Sequence, residues 1–195
     1  MQPVYRIITQ PGSEPITLGE AQAHVRQDST DDNADLTRCI EASRRSIEKQ
    51  YGVFLVTQTV EMLLPCFPHD EFIRITRSPI QSLTSLKYVT SDDTEYTFAA
   101  TNYDLNIERQ RITLKYGKTW PVATLKPSDA VVARMVMGYG TESQVPGHIK
   151  AALLLRIGHL YAHREEITLG AIALESKALL VGVDHLMTPE RNWTF

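Results

Sequence analysis

Cysteine is scarce in this chain. Cys39 and Cys66 are its only two, too few for a disulfide scaffold or a four-thiolate zinc site, and free thiols fit a reducing cytosol. Cys39 falls inside an expected helix, Cys66 in the proline-flanked turn Pro65-Cys66-Phe67-Pro68. Long apolar runs are missing too. No stretch approaches the roughly 18 consecutive apolar residues that would mark a membrane span. The start, MQPVYRIITQPGSEP, lacks the basic opening and apolar run of a signal peptide. There is no basic surplus: 20 Lys and Arg against 23 Asp and Glu leave a formal net charge of -3. A general nucleic-acid coat neutralises phosphates with cations, so this balance argues against that class. The remainder is ordinary for a soluble globular protein: 195 residues, 43% hydrophobic and 22% charged. Such a chain can bury a real core and suggests one domain, or one with a large insertion.

Most catalytic motifs are also missing, each by an identifiable residue. Gly117-Lys118-Thr119 resembles the end of a phosphate-binding loop, but Ile112 stands where the loop's first glycine belongs. Gly138-Tyr139-Gly140 follows a strand pattern, yet the third glycine of a dinucleotide fingerprint falls on Ser143, and no alternating βαβ pattern surrounds it. Counted from Asp28, the acidic stretch offers Asn33 and Cys39 where a calcium loop needs glycine and glutamate. No Gly-x-Ser-x-Gly elbow occurs. His159, His163 and Glu166 fall at i, i+4 and i+7 of an expected helix and are the candidate metal ligands. No glutamate follows His159 as a His-Glu-x-x-His site requires, and histidines near a helix C-terminus are equally well served by the helix dipole. The chain therefore reads as a non-enzyme that needs no cofactor. A small metal-dependent enzyme built on those three residues is the catalytic alternative.

What is present is a clear order of elements. Thr17-Leu18-Gly19-Glu20 has the form of a capping box opening a short helix to about Arg26. Asp28, Asp31, Asp32 and Asp35 suit the positive end of a second helix. Its stripe is Leu36, Ile40, Ser43, Ile47 and Tyr51, and Gly52 ends it. The period then changes to two. Strands are expected at Val56–Leu64, Phe72–Thr76, Leu83–Thr90, Glu95–Ala99, Tyr103–Ile107, Arg111–Tyr116 and Ala130–Gly138, with a hairpin turn at Ser91–Thr94. Pro146 opens a further helix with the stripe Ile149, Leu153, Ile157 and Leu160. Ala152, Leu154, Leu155 and Tyr161 widen its apolar surface beyond one face, which fits burial on two sides. A last short helix is expected at Val183–Thr188. The pattern predicts an α+β fold: a helical core from residues 1–52 and 143–195, with an antiparallel β-rich insertion at 53–142.

Two surface features complete the inventory. Glu41–Arg45 and Arg44–Glu48 are opposite-charge pairs at i, i+4, expected on a solvated face of the second helix. Arg191, Trp193 and Phe195 lie in a polar tail beyond the last helix. They can fold back on the core or anchor a partner, since Trp and Arg are favoured at interface hot spots.

A set of short pieces in fixed order runs through nearly the whole chain. It starts with Pro15-Ile16-Thr17-Leu18-Gly19-Glu20-Ala21, His24-Val25-Arg26 and Asp31-Asp32. It continues through Glu48, Tyr51-Gly52, Leu55-Val56-Thr57-Gln58-Thr59, Phe67-Pro68, Ser78-Pro79-Ile80-Gln81-Ser82, Trp120-Pro121, Gly138-Tyr139-Gly140 and Val145-Pro146. It closes with His159-x-Tyr161-x-His163-Arg164-Glu165, Gly182-Val183, Leu186-Met187-x-Pro189 and Arg191. Each piece alone is unspecific, but their order and spacing together resemble the phage head–tail connector (adaptor) family, including longer members described as possible DNA-packaging proteins. The chain departs from that pattern at Val25 and Met187, where leucine is commoner, and at Glu190, where tyrosine is.

The resemblance implies a virion protein without catalysis. It would be a homo-oligomeric ring, a dodecamer, docked below the portal protein and receiving a tail or second connector protein on its other side. DNA would pass through the channel without sequence-specific binding, and no membrane is involved. The implied location is the head–tail junction of the virion, with the host cytoplasm as the place of assembly. The C-terminal segment, with Leu186, Arg191, Trp193 and Phe195, would contact the partner, and Leu154, Leu155 and Tyr161 would lie between subunits. Ring closure needs a heterologous interface, and over about twelve copies the charge sums to roughly -36, which repels DNA wherever it faces the lumen. A DNA-binding packaging accessory protein is the first alternative, ahead of the metal-dependent enzyme, and it predicts salt-dependent DNA binding.

Overall fold

The computed structural model describes residues 3–163 and 181–190. The chain divides into two compact units. Of the described residues, one unit comprises 3–12 and 57–139, the other 13–56, 140–163 and 181–190. Antiparallel sheets make up the first and helices the second, so the fold is α+β with a β-rich insertion, as the change of period at Gly52 predicts.

The β unit holds eight strands: β1 (Val4–Thr9), β2 (Gln58–Leu64), β3 (Phe72–Arg74), β4 (Ile80–Val89), β5 (Glu95–Phe98), β6 (Tyr103–Asn106), β7 (Arg111–Leu114) and β8 (Val131–Met137). A five-stranded sheet runs in the order β1-β2-β8-β4-β5, and a three-stranded sheet in the order β3-β7-β6. Every pairing is antiparallel. Period-two burial is cleanest in β8, where Val131, Ala133, Met135 and Met137 are buried and Arg134 is exposed. Val60 and Met62 of β2 and Leu86 of β4 join them in the core. The hairpin turn at Ser91–Thr94 is tied by Thr90 and Thr94 backbone bonds and by the Asp92 carboxylate accepting from both threonine hydroxyls.

An aromatic cluster forms a second small core in this unit. Phe67 and Trp120 stack with centroids 5.2 Å apart, and Phe98 and Tyr103 stack at 5.8 Å. The Trp120 indole N–H donates to the Asp70 carbonyl at 2.8 Å, the polar handle a packed tryptophan requires.

Strand β1 has no counterpart among the elements the sequence pattern predicts. Its burial follows no alternation: five of its six residues are exposed, and the register shifts between Ile7 and Thr9. An edge strand with a bulge lacks the period-two signal on which such an assignment rests.

The helical unit contains α1 (Leu18–Val25), α2 (Asn33–Tyr51), α3 (Gly147–Ala162) and a helix over residues 181–187, followed by a 3-10 turn at Thr188–Glu190. The capping box is present at both bonds: Thr17 Oγ1 accepts from the Glu20 N–H at 3.2 Å, and Glu20 Oε2 accepts from the Thr17 N–H at 2.7 Å. Gly52 ends α2 in the left-handed conformation, φ 69°, where glycine carries no Cβ penalty. Pro146 caps α3 and Gly147 is its first helical residue. Ile149, Ala152, Leu153 and Ile157 form the buried stripe of α3.

Candidate functional site

Each unit contains one charged constellation of its own. In the helical unit, Arg44 is buried. Its Nε donates to Glu14 Oε2 at 2.7 Å and its Nη1 to Glu48 Oε2 at 3.0 Å. The other Glu48 oxygen accepts from the Leu55 backbone N–H at 3.0 Å. Burial works against the charge on Arg44, but its bonds to Glu14 and the field of both carboxylates outweigh it and raise its pKa. Arg44 and Glu48 therefore do not lie on the solvated helix face expected from their spacing. That description fits Glu41–Arg45, whose side chains are largely exposed. The network clamps α2 to the segment before α1 and to the segment after Gly52.

In the β unit, Arg6, Glu61 and Arg134 stand directly opposite one another across β1, β2 and β8. Glu61 Oε2 accepts from Arg6 Nη2 at 2.5 Å, and Oε1 accepts from Arg134 Nη2 at 2.6 Å and Nε at 3.0 Å. Burial pushes the Glu61 pKa up, yet the two guanidinium groups overcome it and hold the carboxyl below its ordinary value.

The expected interface residues of α3 take three different positions. Leu155 is 39% exposed. Leu154 is half-buried. Tyr161 is half-buried too, and its hydroxyl donates to Asp32 Oδ2 at 2.8 Å, tying the end of α3 to the start of α2. The glycine at 158 lets α3 approach α1 closely: a Cβ there would sit 3.3 Å from His24 Nε2. Leu186, in the helix over 181–187, is half-buried between the buried Val183 and Met187. That helix is fixed by Asp184, which accepts from the Tyr51 hydroxyl and from Gln50 Nε2. Arg191, Trp193 and Phe195 lie outside the described residues.

Two of the three candidate metal ligands lie side by side at the end of α3. His159 lies in the last turn of α3 and His163 is its C-terminal cap, with ring centroids 4.5 Å apart. Glu166 lies outside the described residues. Among the described residues no group of three His, Cys, Asp or Glu is placed to hold a metal ion, and no helix is long and apolar enough to cross a membrane.

Several exposed apolar side chains carry no motif that sequence could have flagged. Val4, Ile7 and Ile8 on β1, Tyr96 on β5, and Tyr116 and Val122 in the loop after β7 all face solvent. Three of them, Val4, Ile7 and Ile8, lie on the one strand β1, and clustered apolar exposure marks interaction surfaces on soluble proteins.

No protein-family model matches the chain, and no curated protein matches its sequence. Solved structures match it along almost its full length. A chain from the neck of an empty GTA particle, computed with C6 symmetry, superposes with a TM-score of 0.79 at 20% identity, covering 98% of this chain and 97% of that one. A chain from the virion of a native gene transfer agent (GTA) particle gives 0.79 at 18% identity over the same shares. One from the neck of the native GTA particle, computed with C12 symmetry, gives 0.77 at 18% identity, again over 98% and 97%. At this identity the likeness establishes a shared fold.

Proposed function

We propose that the chain is a structural, non-catalytic subunit of the neck of a tailed-phage-like particle. It acts there as a head–tail connector: a homo-oligomeric ring docked below the portal protein, with a tail or second connector protein on its other side. DNA passes through the ring's channel without sequence-specific contact. Assembly takes place in the host cytoplasm and the finished ring resides in the virion.

The observation that carries this reading is the near full-length likeness to chains of a particle neck. A protein that merely shared a common small domain with them would match in part. The ordered motifs of the sequence point the same way independently. Cyclic symmetry in the neighbouring structures supports a ring, and rings close through heterologous interfaces that use two different faces of each subunit. The net charge of -3 suits a channel through which a polyanion must slide.

Mass measurement of the full chain, alone and mixed with the portal protein of the same particle, tests the reading. A closed ring, or a stable complex with the portal, is expected. Persistent monomer in both samples overturns it.

A further inference from the structure

We infer that the five-stranded sheet is one of the ring's subunit contacts, with the β1 edge of one copy receiving the β5 edge of the next. The inference rests on the ring reading above and adds to it the surfaces that meet.

The two outer strands of that sheet are β1 and β5. Among the described residues no strand pairs with the outer side of either. An open edge presents backbone donors and acceptors to any extended segment, and stable proteins usually blunt such edges with charge, proline or cover. This one is only partly blunted. Val4 is 58% exposed, Ile7 38% and Ile8 42% on β1, and Tyr96 is 46% exposed on β5. Each edge thus joins an open strand to apolar side chains, the combination used in strand-addition interfaces.

The two edges differ in charge. Arg6 projects from β1 with 61% of its side chain exposed, bonded to the one carboxylate, Glu61, that it shares with Arg134, and Arg77 lies over the ring of Tyr5, so cations outnumber anions there. At the other edge stand Glu95, 54% exposed and paired with Lys87 at 2.6 Å, and the turn carboxylates Asp92 and Asp93, which leave the edge acidic on balance. A basic edge and an acidic edge on one subunit repel their own kind and attract each other. That favours head-to-tail contact over a two-fold dimer, as ring closure requires. Strand direction agrees. Each of the four successive pairings between β1 and β5 is antiparallel, so the two edge strands run the same way. A neighbour's β5 laid along β1 in the sheet plane then forms a parallel pair.

Cross-linking tests this on the full chain. In a background of Cys39→Ser and Cys66→Ser, Ile8→Cys and Tyr96→Cys are introduced singly and together, and circular dichroism checks that each variant melts like the parent. The protein, alone and with the portal protein, is sized and then mildly oxidised. The double variant should give a ladder extending beyond dimers, and each single variant, with no cysteine opposite its own across a head-to-tail contact, should stay monomeric after denaturation. Rings that form but yield no ladder overturn the edge contact and leave the ring reading intact. Absence of any ring in both samples removes the ring reading, and this inference with it.

Discussion

Arg44 Nη1 lies 3.0 Å from Glu48 Oε2 one turn further along α2, and both side chains are buried. A pair at this spacing on an exposed face contributes little, because water competes for both charges. Here the surroundings are dry. Glu14 takes the Arg44 Nε–H, and Glu48 also takes the Leu55 N–H. Removal of Arg44 leaves the buried Glu48 carboxylate without its cation, whereas the part-exposed Glu14 keeps some solvent, and breaking a buried pair costs about 3–5 kcal/mol. Arg44→Ala should therefore lower unfolding stability by that order. Arg45→Ala, which breaks the exposed pair with Glu41, should stay within about 1 kcal/mol. Urea denaturation of the two variants checks the contrast, and equal losses would contradict it.

Glu61 gives the fold a pH dependence of known sign. Its carboxyl is held below its ordinary pKa by Arg6 and Arg134 against the opposing effect of burial. The folded value is thus lower than the unfolded one, about 4.3. Its stabilisation is complete above the unfolded value and drains away as pH falls through the folded value. Between about pH 5 and the onset of acid unfolding, wild type should lose stability more steeply than Glu61→Gln, which has no proton to take up. Thermal melts across that range measure the slopes, and parallel slopes would remove Glu61 from the acid response.

These two constellations show where the sequence is legible and where it is not. The alternation of Val131–Met137 declares β8, because one face is buried and the other is not. Thr17, Glu20 and Gly52 declare helix ends, because capping is local chemistry. Arg44 and Glu48 look the same at i, i+4 whether they face water or the core. Their partners in the interior are Glu14, 30 residues upstream of Arg44, and the Leu55 backbone N–H beyond the helix. Burial of this kind is set by tertiary contact, which no local pattern encodes. Strand β1 is hidden for a related reason: only β2 flanks it, so little of it is buried and no alternation appears. Among the expected interface residues, Leu155 reaches solvent while Tyr161 is engaged by Asp32. Helical periodicity places both on the widened face of α3 but says nothing of that hydroxyl's partner.

Helix α1 has only 8 residues, too few to persist alone in water, so its cap matters more than in a long helix. Thr17→Ala removes the side-chain acceptor for the Glu20 N–H and should cost about 1 kcal/mol. Thr17→Ser keeps the oxygen and should restore most of the loss. Hydrogen exchange of the α1 amides reads the effect locally. A Thr17→Ala variant with unchanged protection would show that tertiary packing alone holds the helix.

Leu155 separates assembly from folding. It is 39% exposed on α3 while its neighbours Ala152, Leu153 and Ile157 are buried. A polar substitution there leaves the packed stripe untouched, and surface changes of that kind usually alter stability by no more than about 0.5 kcal/mol. If this part of α3 meets another subunit, the same substitution places a charge in an apolar contact, where charged groups are disfavoured unless paired. Leu155→Lys should then melt like wild type as a monomer yet fail to form rings, alone or on the portal protein. Leu155→Met, close in volume and still apolar, should assemble normally. Native mass spectrometry of both variants beside wild type decides the matter: rings from Leu155→Lys in wild-type yield would take Leu155 out of the subunit contact.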